Sequence, residues 1–284
     1  MKISIQLGDH AFEVKLDEPI DLSIPLDFRG AQPNAYGVER ASAEAVTAGS
    51  LVGDTRRGGS CNFEQVILIP QCNGTHTECV GHITNERISV RDCLKDAFVP
   101  VVLVSVEAES AAGSGESYSV QFGADDLVIT GERLESLLLR RRNPVATAPG
   151  SDRALIIRTL PNDLGKLTRE YGNVMPPYFS TEAMEFIVEL GVEHLLVDVP
   201  SIDRMYDKGM LSNHRKFWNV EPGVFEINPA TRTDATVTEL IYVPEVVPDG
   251  EYLLNLQIAP FVSDAAPSRP VLFRIISDQL DDLA

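Results

Sequence analysis

The chain has 284 residues, of which 44% are hydrophobic and 23% charged, so it can bury a substantial core and has the composition of an ordinary globular protein. Its 42 acidic residues outnumber its 24 basic residues, which gives a formal charge of -18. Because such a surface repels phosphate backbones and anionic membranes, we expect neither nucleic acid nor a membrane as a partner.

The N-terminal segment and the cysteines both bear on the cellular compartment. The first seven residues alternate polar and apolar, unlike a secretory signal, and no later segment approaches about 18 uninterrupted apolar residues. We therefore expect a cytoplasmic protein. Since thiols stay reduced there, Cys61, Cys72, Cys79 and Cys93 are expected to be free or to bind an ion, with no structural disulfide.

The N-terminal region is predicted to be a β-hairpin extension over residues 1–19. Residues 3–7 and 12–16 alternate in polarity, and Gly8, Asp9 and His10 between them are turn formers. Residues 27–61 are rich in Gly, Ala, Pro and Asn, which predicts long loops that shape a pocket. We expect one compact domain over residues 20–275 and an acidic tail over 276–284.

The middle of the chain predicts an α/β fold. Residues 66–69 and 99–104 are short, β-branched runs typical of buried strands, and 107–117 resembles a loop between strands. Apolar residues recur on one face over 126–140, which predicts a helix followed by a connector over 141–152.

The pattern of residues 180–191 predicts a helix more strongly than any other segment. It has a capping Ser180, an early acid, an apolar face and a terminal Gly191. A strand over 192–197 follows and ends at Asp198. In α/β folds such strand ends commonly border the active site.

The segment QCNGTHTECVGH (71–82) carries the residues that are best suited to chemistry. Cys72, His76, Glu78 and His82 occupy even positions, so an extended segment would direct them all to one side. Thiolate, imidazole and carboxylate groups together are suitable ligands for zinc or a similar ion. Small core cysteines and capping histidines would produce the same spacing, which leaves both interpretations open.

This segment resembles the signature of the cyclase-like superfamily to which kynurenine formamidase belongs, His-x-Gly-Thr-His-x-Asp-x-Pro-x-His. It is similar at Gly74, Thr75, His76 and His82. Further similarities follow in the family's order, and they are DLS (21–23), LLVDVPSID (195–203), His214, Glu239-Leu240 and DAAPSRPV (264–271). Three departures lie within the signature, where Cys72, Glu78 and Val80 stand for the family's His, Asp and Pro.

The resemblance implies a swivelling β/β/α sandwich that assembles as a homodimer or homotetramer. It implies a metal site made by Cys72, His76, Glu78, His214 and Glu239, with His82 and Glu239 as catalytic groups. The ion would be Zn²⁺ as first choice, because a thiolate is a soft ligand, and Mn²⁺ as second. The implied reaction is hydrolysis of a small-molecule amide, as in an arylformamidase of tryptophan catabolism that converts N-formylkynurenine to kynurenine and formate.

Several other residues have simpler interpretations. His194 lies in an apolar strand and is interpreted as a packed residue with a satisfied hydrogen bond, and His10 as part of the hairpin turn. Glu226 competes with Glu239 for the distal carboxylate but lacks the family-like sequence after it. Asp198 and Asp203 are interpreted as supporting groups at a strand end, and Trp218 as a core residue.

Two alternative functions remain open on the sequence. One is a hydrolase or dehydratase of the same fold that acts on another cyclic amide, such as isatin, or on a lactone. The other is a non-catalytic binding or assembly protein with a degenerate metal site, for which the altered Cys72 and Glu78 are the main support.

Overall fold

The fold was obtained as a computed structural model, which describes residues 1–7, 10–139, 153–172 and 174–276. The strands in these ranges are β1 (Lys2–Leu7), β2 (His10–Asp21), β3 (Ser42–Ala45), β4 (Thr47–Ala48), β5 (Leu51–Val52), β6 (Glu64–Ile67), β7 (His76–Cys79), β8 (Val99–Glu107), β9 (Glu109–Ser110), β10 (Leu127–Ile129), β11 (Ala154–Leu160), β12 (Tyr178–Phe179), β13 (His194–Val197), β14 (Thr236–Glu239), β15 (Gly250–Asn255), β16 (Ala265–Pro267) and β17 (Val271–Ile276).

Helices are few and short. The α-helices are α1 (Pro70–Asn73), α2 (Val90–Cys93), α3 (Gly131–Leu139), α4 (Thr181–Glu189) and α5 (Ser212–Trp218), and short 3-10 turns cover Thr55–Arg57, Val80–His82, Ala111–Gly113 and Leu164–Thr168. Helix α4 begins where the sequence predicts, because the Ser180 hydroxyl accepts a hydrogen bond from the backbone N–H of Ala183. Among the described residues, no helix has the length and apolar composition needed to cross a membrane.

A mixed ten-stranded sheet organises the molecule. Its order is β1-β2-β17-β15-β8-β11-β13-β14-β7-β16. Strands β8, β11, β13 and β14 run parallel, whereas the strands on both sides of this block pair antiparallel. This architecture confirms the predicted α/β class and places the predicted hairpin, β1 and β2, at one edge of the main sheet.

The parallel strands are buried on both faces. Along β8 and β11, Leu103 and Ile156 face one apolar cluster, while Val104 and Ile157 face the other, as the two-residue period of a strand requires. Helices α3, α4 and α5 cover the second face with the buried residues Leu134, Ala183, Met184, Ile187, Phe217 and Trp218. The core therefore fixes the strand ends from which the site is built.

Three predictions about local structure are wrong or incomplete. Residues 66–69 do not form a buried strand, because β6 pairs only with β3 in a two-stranded ribbon and all four of its residues are exposed. The helix predicted over 126–140 starts only at Gly131, since Leu127–Ile129, which contains the β-branched Val128 and Ile129, pairs with β9 and β12 as a strand. The loops predicted over 27–61 contain the short strands β3, β4 and β5.

Some predictions fall on parts of the chain that are not described. The connector predicted over 141–152 lies outside the described residues. So do the turn residues Gly8 and Asp9 and all of the predicted acidic tail after Ile276.

Candidate metal centre

Two neighbouring strands bring the central side chains together. Strands β7 and β14 pair antiparallel with His76 directly opposite Glu239. His76 and Glu78 are two residues apart on β7, so their side chains leave the same face of the sheet. The ligand-type atoms of His76, Glu78 and Glu239 all lie within 4.8 Å of one another, and all three residues are buried.

The predicted extended segment over 71–82 is only partly extended, which corrects the proposed common side for its four polar residues. Pro70 starts helix α1, and this helix contains Cys72. His76 and Glu78 lie on β7, and His82 ends a 3-10 turn. The chain therefore brings Cys72 and His82 towards Glu78 by changing direction before and after a four-residue strand.

The imidazole of His76 is held as a metal ligand would be. Its Nδ1 lies 3.0 Å from the carbonyl oxygen of Gly74, to which it donates, so its Nε2 carries the lone pair. Nε2 is buried without a hydrogen-bond partner, 3.4 Å from Glu239 Oε2 and 4.0 Å from Glu78 Oε2. Such an orphaned acceptor beside two carboxylates needs a cation or a proton between them.

His214, on helix α5, completes this arrangement from the other side. Its Nδ1 lies 2.5 Å from Asp203 Oδ2, and its Nε2 lies 2.8 Å from Glu78 Oε1 and 3.6 Å from Glu239 Oε1. Asp203 also accepts the backbone N–H groups of Asn213 and His214, which fixes the start of the helix. A carboxylate behind a histidine orients the ring and raises its basicity as a ligand.

The pKa shifts of the site residues show that the carboxylates favour positive charge on the neighbouring histidines. Burial opposes protonation of His214, but the carboxylates of Glu78 and Asp203 outweigh it and raise the His214 pKa well above its usual value. Burial likewise opposes protonation of His76, whose pKa is nevertheless raised by Glu239 and Glu78. Burial would raise the pKa of Glu78, but the charges of His82 and His214 lower it to about 2.

These residues fit a divalent cation. Two imidazole nitrogens and two carboxylates form a donor set that suits zinc, manganese or a similar ion. Without a cation, buried carboxylates at this separation must be compensated by protons on His76 and His214. The residues that would hold the ion are His76, Glu78, Glu239 and His214.

Cys72 stands beside this donor set but is not part of the tight three-residue cluster. It lines the same cavity as Glu78 and Glu239. Burial, followed by the charges of Glu239 and Glu78, raises the pKa of its thiol to about 11. The thiol is therefore protonated at neutral pH when no cation is nearby, and its predicted role as a ligand stays a prediction.

His82 contacts the site from its solvent side. Its Nδ1 lies 3.2 Å from Asp264 Oδ2 and 3.8 Å from Glu78 Oε2, and its side chain is 28% exposed. The Glu78 charge, with help from Asp264, raises the pKa of His82. The hydrogen bond from His82 in turn lowers the Asp264 pKa to about 2. Sequence reasoning noted Asp264 only as the start of a family-like stretch and missed its contact with His82.

A cavity of about 640 Å³ opens onto these groups. This volume suits a small organic molecule. Its walls include Glu78, His82, His214 and Glu239, together with Tyr36 and with residues that the sequence did not single out, among them Tyr206, Asp207 and Lys208. A detectable sequence signal was absent for them, because they lie in irregular segments.

The remaining candidates have structural surroundings. His194 is buried, and its Nδ1 lies 2.8 Å from the Thr236 hydroxyl, whereas its Nε2 has no hydrogen-bond partner. The hydrogen bond predicted for this packed residue is therefore present at one ring nitrogen only. Glu226 is exposed. Asp198 forms a buried ion pair with Lys166 at 2.8 Å.

Trp218 is fully buried, as the sequence predicts for a core residue. Its Nε1 donates to the Ala235 carbonyl oxygen, and its ring packs 5.4 Å from that of His214. The four cysteines are free thiols.

Comparisons with known proteins agree with this geometry. The family described as putative cyclase matches residues 20–204. Kynurenine formamidases from Bacillus cereus and Bacillus thuringiensis are each 24% identical over 266 residues, which cover 91% of this chain and 99% of theirs.

Solved structures show the same fold. Isatin hydrolase A from Labrenzia aggregata has a TM-score of 0.56 at 12% identity and matches 90% of this chain and 93% of its own. A predicted metal-dependent hydrolase from Bacillus stearothermophilus has a TM-score of 0.54 at 13% identity, with 90% and 98% covered.

Proposed function

Because the chain belongs to the putative cyclase family, we propose that it is a metal-dependent hydrolase that cleaves the carbon–nitrogen bond of a small amide. The observation that carries this proposal is the buried, unpartnered Nε2 of His76, which faces the carboxylates of Glu78 and Glu239. The buried Nε2 of His194 also has no partner, but among the described residues only the His76 nitrogen belongs to a close group of three ligand-type side chains.

In the proposed mechanism, His76, Glu78, Glu239 and His214 hold the ion, and Asp203 fixes the His214 ring so that Nε2 is free to bind. When bound, the ion would polarise the scissile carbonyl and lower the pKa of a water towards ~7. Glu239 has a second task, because its Oε1 accepts the backbone N–H of Ile202 at 2.9 Å and thereby ties β14 to the loop that follows β13.

His82 is the proposed proton carrier. It is the partly exposed imidazole of the site, so it can take a proton from water and return it to the leaving amine. Asp264 holds its Nδ1, which leaves Nε2 as the nitrogen that exchanges the proton. Asp264 is thus proposed as a positioning residue that acts through His82.

The proposed substrate is an aryl formamide, with N-formylkynurenine as the first compound and isatin as the second. The names of the two Bacillus relatives support the formamide, and the name of the Labrenzia neighbour supports the cyclic amide. Both compounds are compatible in size with a cavity of about 640 Å³.

The test uses purified protein loaded separately with Zn²⁺ and Mn²⁺. We expect turnover of N-formylkynurenine, followed by the appearance of kynurenine and formate, and its loss in Glu239→Gln. A matched control is Glu226→Gln, since Glu226 is an exposed glutamate outside the donor set. If neither formamides nor isatin nor simple lactones are hydrolysed by protein with bound metal, the non-catalytic alternative replaces this proposal.

The identity of the ion is a separate proposal. We retain Zn²⁺ first and Mn²⁺ second, although the thiol of Cys72 lies outside the three-residue cluster and its support for zinc is reduced. Elemental analysis of protein purified without added metal decides between them, and Cys72→Ser should retain its metal if oxygen and nitrogen ligands dominate.

The assembly and compartment are also proposals. From the family resemblance we propose a homodimer or homotetramer in the cytoplasm. Light scattering coupled to size-exclusion chromatography tests the assembly, since the monomer mass is 31.1 kDa.

A further inference from the structure

We propose that Lys208 selects substrates with an anionic group, so that the cavity prefers an aryl amide that bears a carboxylate to the same amide without one. This inference rests on the proposed hydrolase function for its chemistry, but on separate residues for its recognition. The residues concerned all line the cavity, and they are the exposed Tyr36, Tyr206 and Lys208 and the buried Asp207.

Lys208 is the single Lys or Arg among the described residues that line the cavity. Elsewhere in this acidic chain, cationic side chains near the site are neutralised, as Arg204 is by Asp126 at 2.7 Å. Lys208 forms no ion pair with any residue in the described ranges, and its side chain is exposed. A cation left without a carboxylate on the wall of a cavity is suited to bind one from the substrate.

The backbone around Lys208 is fixed by its neighbour. The buried carboxylate of Asp207 accepts hydrogen bonds from the backbone N–H groups of Gly209, Met210 and Leu211, at 2.9, 3.2 and 2.7 Å. Because the oxygens of Asp207 accept these three bonds, its negative charge interacts with the backbone N–H groups of its own turn. The turn therefore presents Lys208 to the cavity from a fixed position.

The turn adopts a conformation that non-glycine residues normally avoid. Tyr206 and Lys208 have φ values of 61° and 64°, in the left-handed region. This conformation is unfavourable for a residue with a Cβ atom, so the surrounding contacts must impose it. A glycine would relieve the cost at either position but would remove the phenol or the ammonium group that lines the cavity.

Two aromatic rings line the same cavity as Lys208. Tyr36 and Tyr206 form an edge-to-face pair with centroids 5.9 Å apart, and both line the cavity. Such rings are suited to pack against the ring of an aryl substrate. The cavity thus offers groups that can recognise both an aryl ring and an anionic group.

The distribution of charge sets the direction in which such a substrate lies. Glu78 and Glu239 are 1% and 3% exposed at the inner end, where they are proposed to be neutralised by the ion, whereas Lys208 is exposed and is not paired with a carboxylate of the described residues. The carboxylate is therefore held outward, and the amide is directed towards the donor cluster.

The experiment compares N-formylanthranilate with formanilide, which lacks only the carboxylate. We expect metal-loaded wild-type protein to prefer N-formylanthranilate in kcat/KM. Lys208→Met should reduce the ratio of the two kcat/KM values by roughly tenfold, the effect of losing one partly solvated charge-assisted contact. Lys208→Arg should restore most of the ratio.

A control separates local recognition from net charge. Lys95→Met removes the same charge from an exposed surface pair with Asp234, and it should keep the wild-type ratio. A ratio in Lys208→Met equal to that of wild type would overturn the role of Lys208, as would an equal loss in Lys95→Met.

Failure of the hydrolase function is distinguished by a binding measurement. Calorimetry with anthranilate and aniline needs no turnover. If no formamide is hydrolysed but anthranilate binds to wild type and roughly tenfold more weakly to Lys208→Met, the recognition role stands and the hydrolase proposal fails. Equal binding of anthranilate by wild type and Lys208→Met would refute the recognition role in either case.

Discussion

Replacing Asp203 with Asn tests how the protein prepares His214 to bind a metal ion. The four closest partners of this buried carboxylate are donors, namely the Tyr118 hydroxyl at 2.6 Å, the Asn213 backbone N–H at 2.7 Å, and the His214 backbone N–H and Nδ1 at 3.2 and 2.5 Å. The Ser212 hydroxyl donates a fifth, longer bond at 3.4 Å. An amide has one acceptor oxygen and one donor nitrogen. In either orientation, Asn therefore directs its NH₂ group at two of the four closest donors.

The loss of metal affinity and of stability depends on which of these donors loses its hydrogen bond to residue 203. If the NH₂ group faces His214, the imidazole relieves the conflict by moving its proton to Nε2, the atom that lies 2.8 Å from Glu78 and would bind the ion. Loss of such a supporting contact typically costs 10–100-fold in metal affinity, which corresponds to about 1.4–2.8 kcal/mol. A further ~1–3 kcal/mol of folding stability is expected to be lost because buried donors are left unsatisfied.

The assay is competition for Zn²⁺ or Mn²⁺ with a chromophoric chelator, together with urea unfolding of the metal-free proteins. Asp126→Asn is the matched control, because Asp126 is also buried and also accepts a tyrosine hydroxyl, from Tyr178 at 2.8 Å. The control should lose stability but keep its metal affinity. A folded Asp203→Asn variant with metal affinity within twofold of wild type would refute the reasoning, as would an equal loss of affinity in Asp126→Asn.

Four further substitutions test other parts of the site and fold. His76→Ala should lose metal and activity together, whereas His82→Ala should keep most of its metal and slow turnover by roughly 10²–10⁴-fold. Elemental analysis and initial rates measure the two effects. Equal metal loss in both variants would remove the proton-carrier role of His82. Burial lowers the pKa of His194 below its usual 6.5, so the unfolded chain binds the proton first and stability falls as pH decreases below that value. His194→Gln should flatten this acid slope by up to roughly 1.4 kcal/mol per pH unit in urea unfolding, and an unchanged slope would contradict the assignment. A methyl group added at Gly81 would lie 2.3 Å from the Ile88 carbonyl oxygen. Gly81→Ala should therefore destabilise the fold by ~1–3 kcal/mol in the same assay and reduce turnover by displacing His82. Wild-type values of stability and turnover would show that the backbone accommodates the methyl group without a loss of free energy.

Local sequence patterns were sufficient to predict the parts of the fold whose contacts are close in sequence. The cap and apolar face of α4 and the β-branched run of β8 each place residues by a period of 3.6 or 2, and the structure has both elements. The same period aligned His76 with Glu78 on β7. It failed for Cys72, because the helical turn that starts at Pro70 interrupts the alternation.

The supporting contacts of the site were decided by the tertiary structure. His82 meets Asp264 across 182 residues of sequence, and His214 meets Glu78 across 136. No local period encodes these pairs, because they depend on the order in which the strands are placed in the sheet. Burial then gives them their chemistry, since the same carboxylates in water would neither raise the pKa of His214 nor leave Nε2 of His76 without a partner. The sequence by itself determined which ligand-type residues the chain carries, and the packing of β7, β14 and α5 determined that they meet in a largely buried group at the base of a cavity.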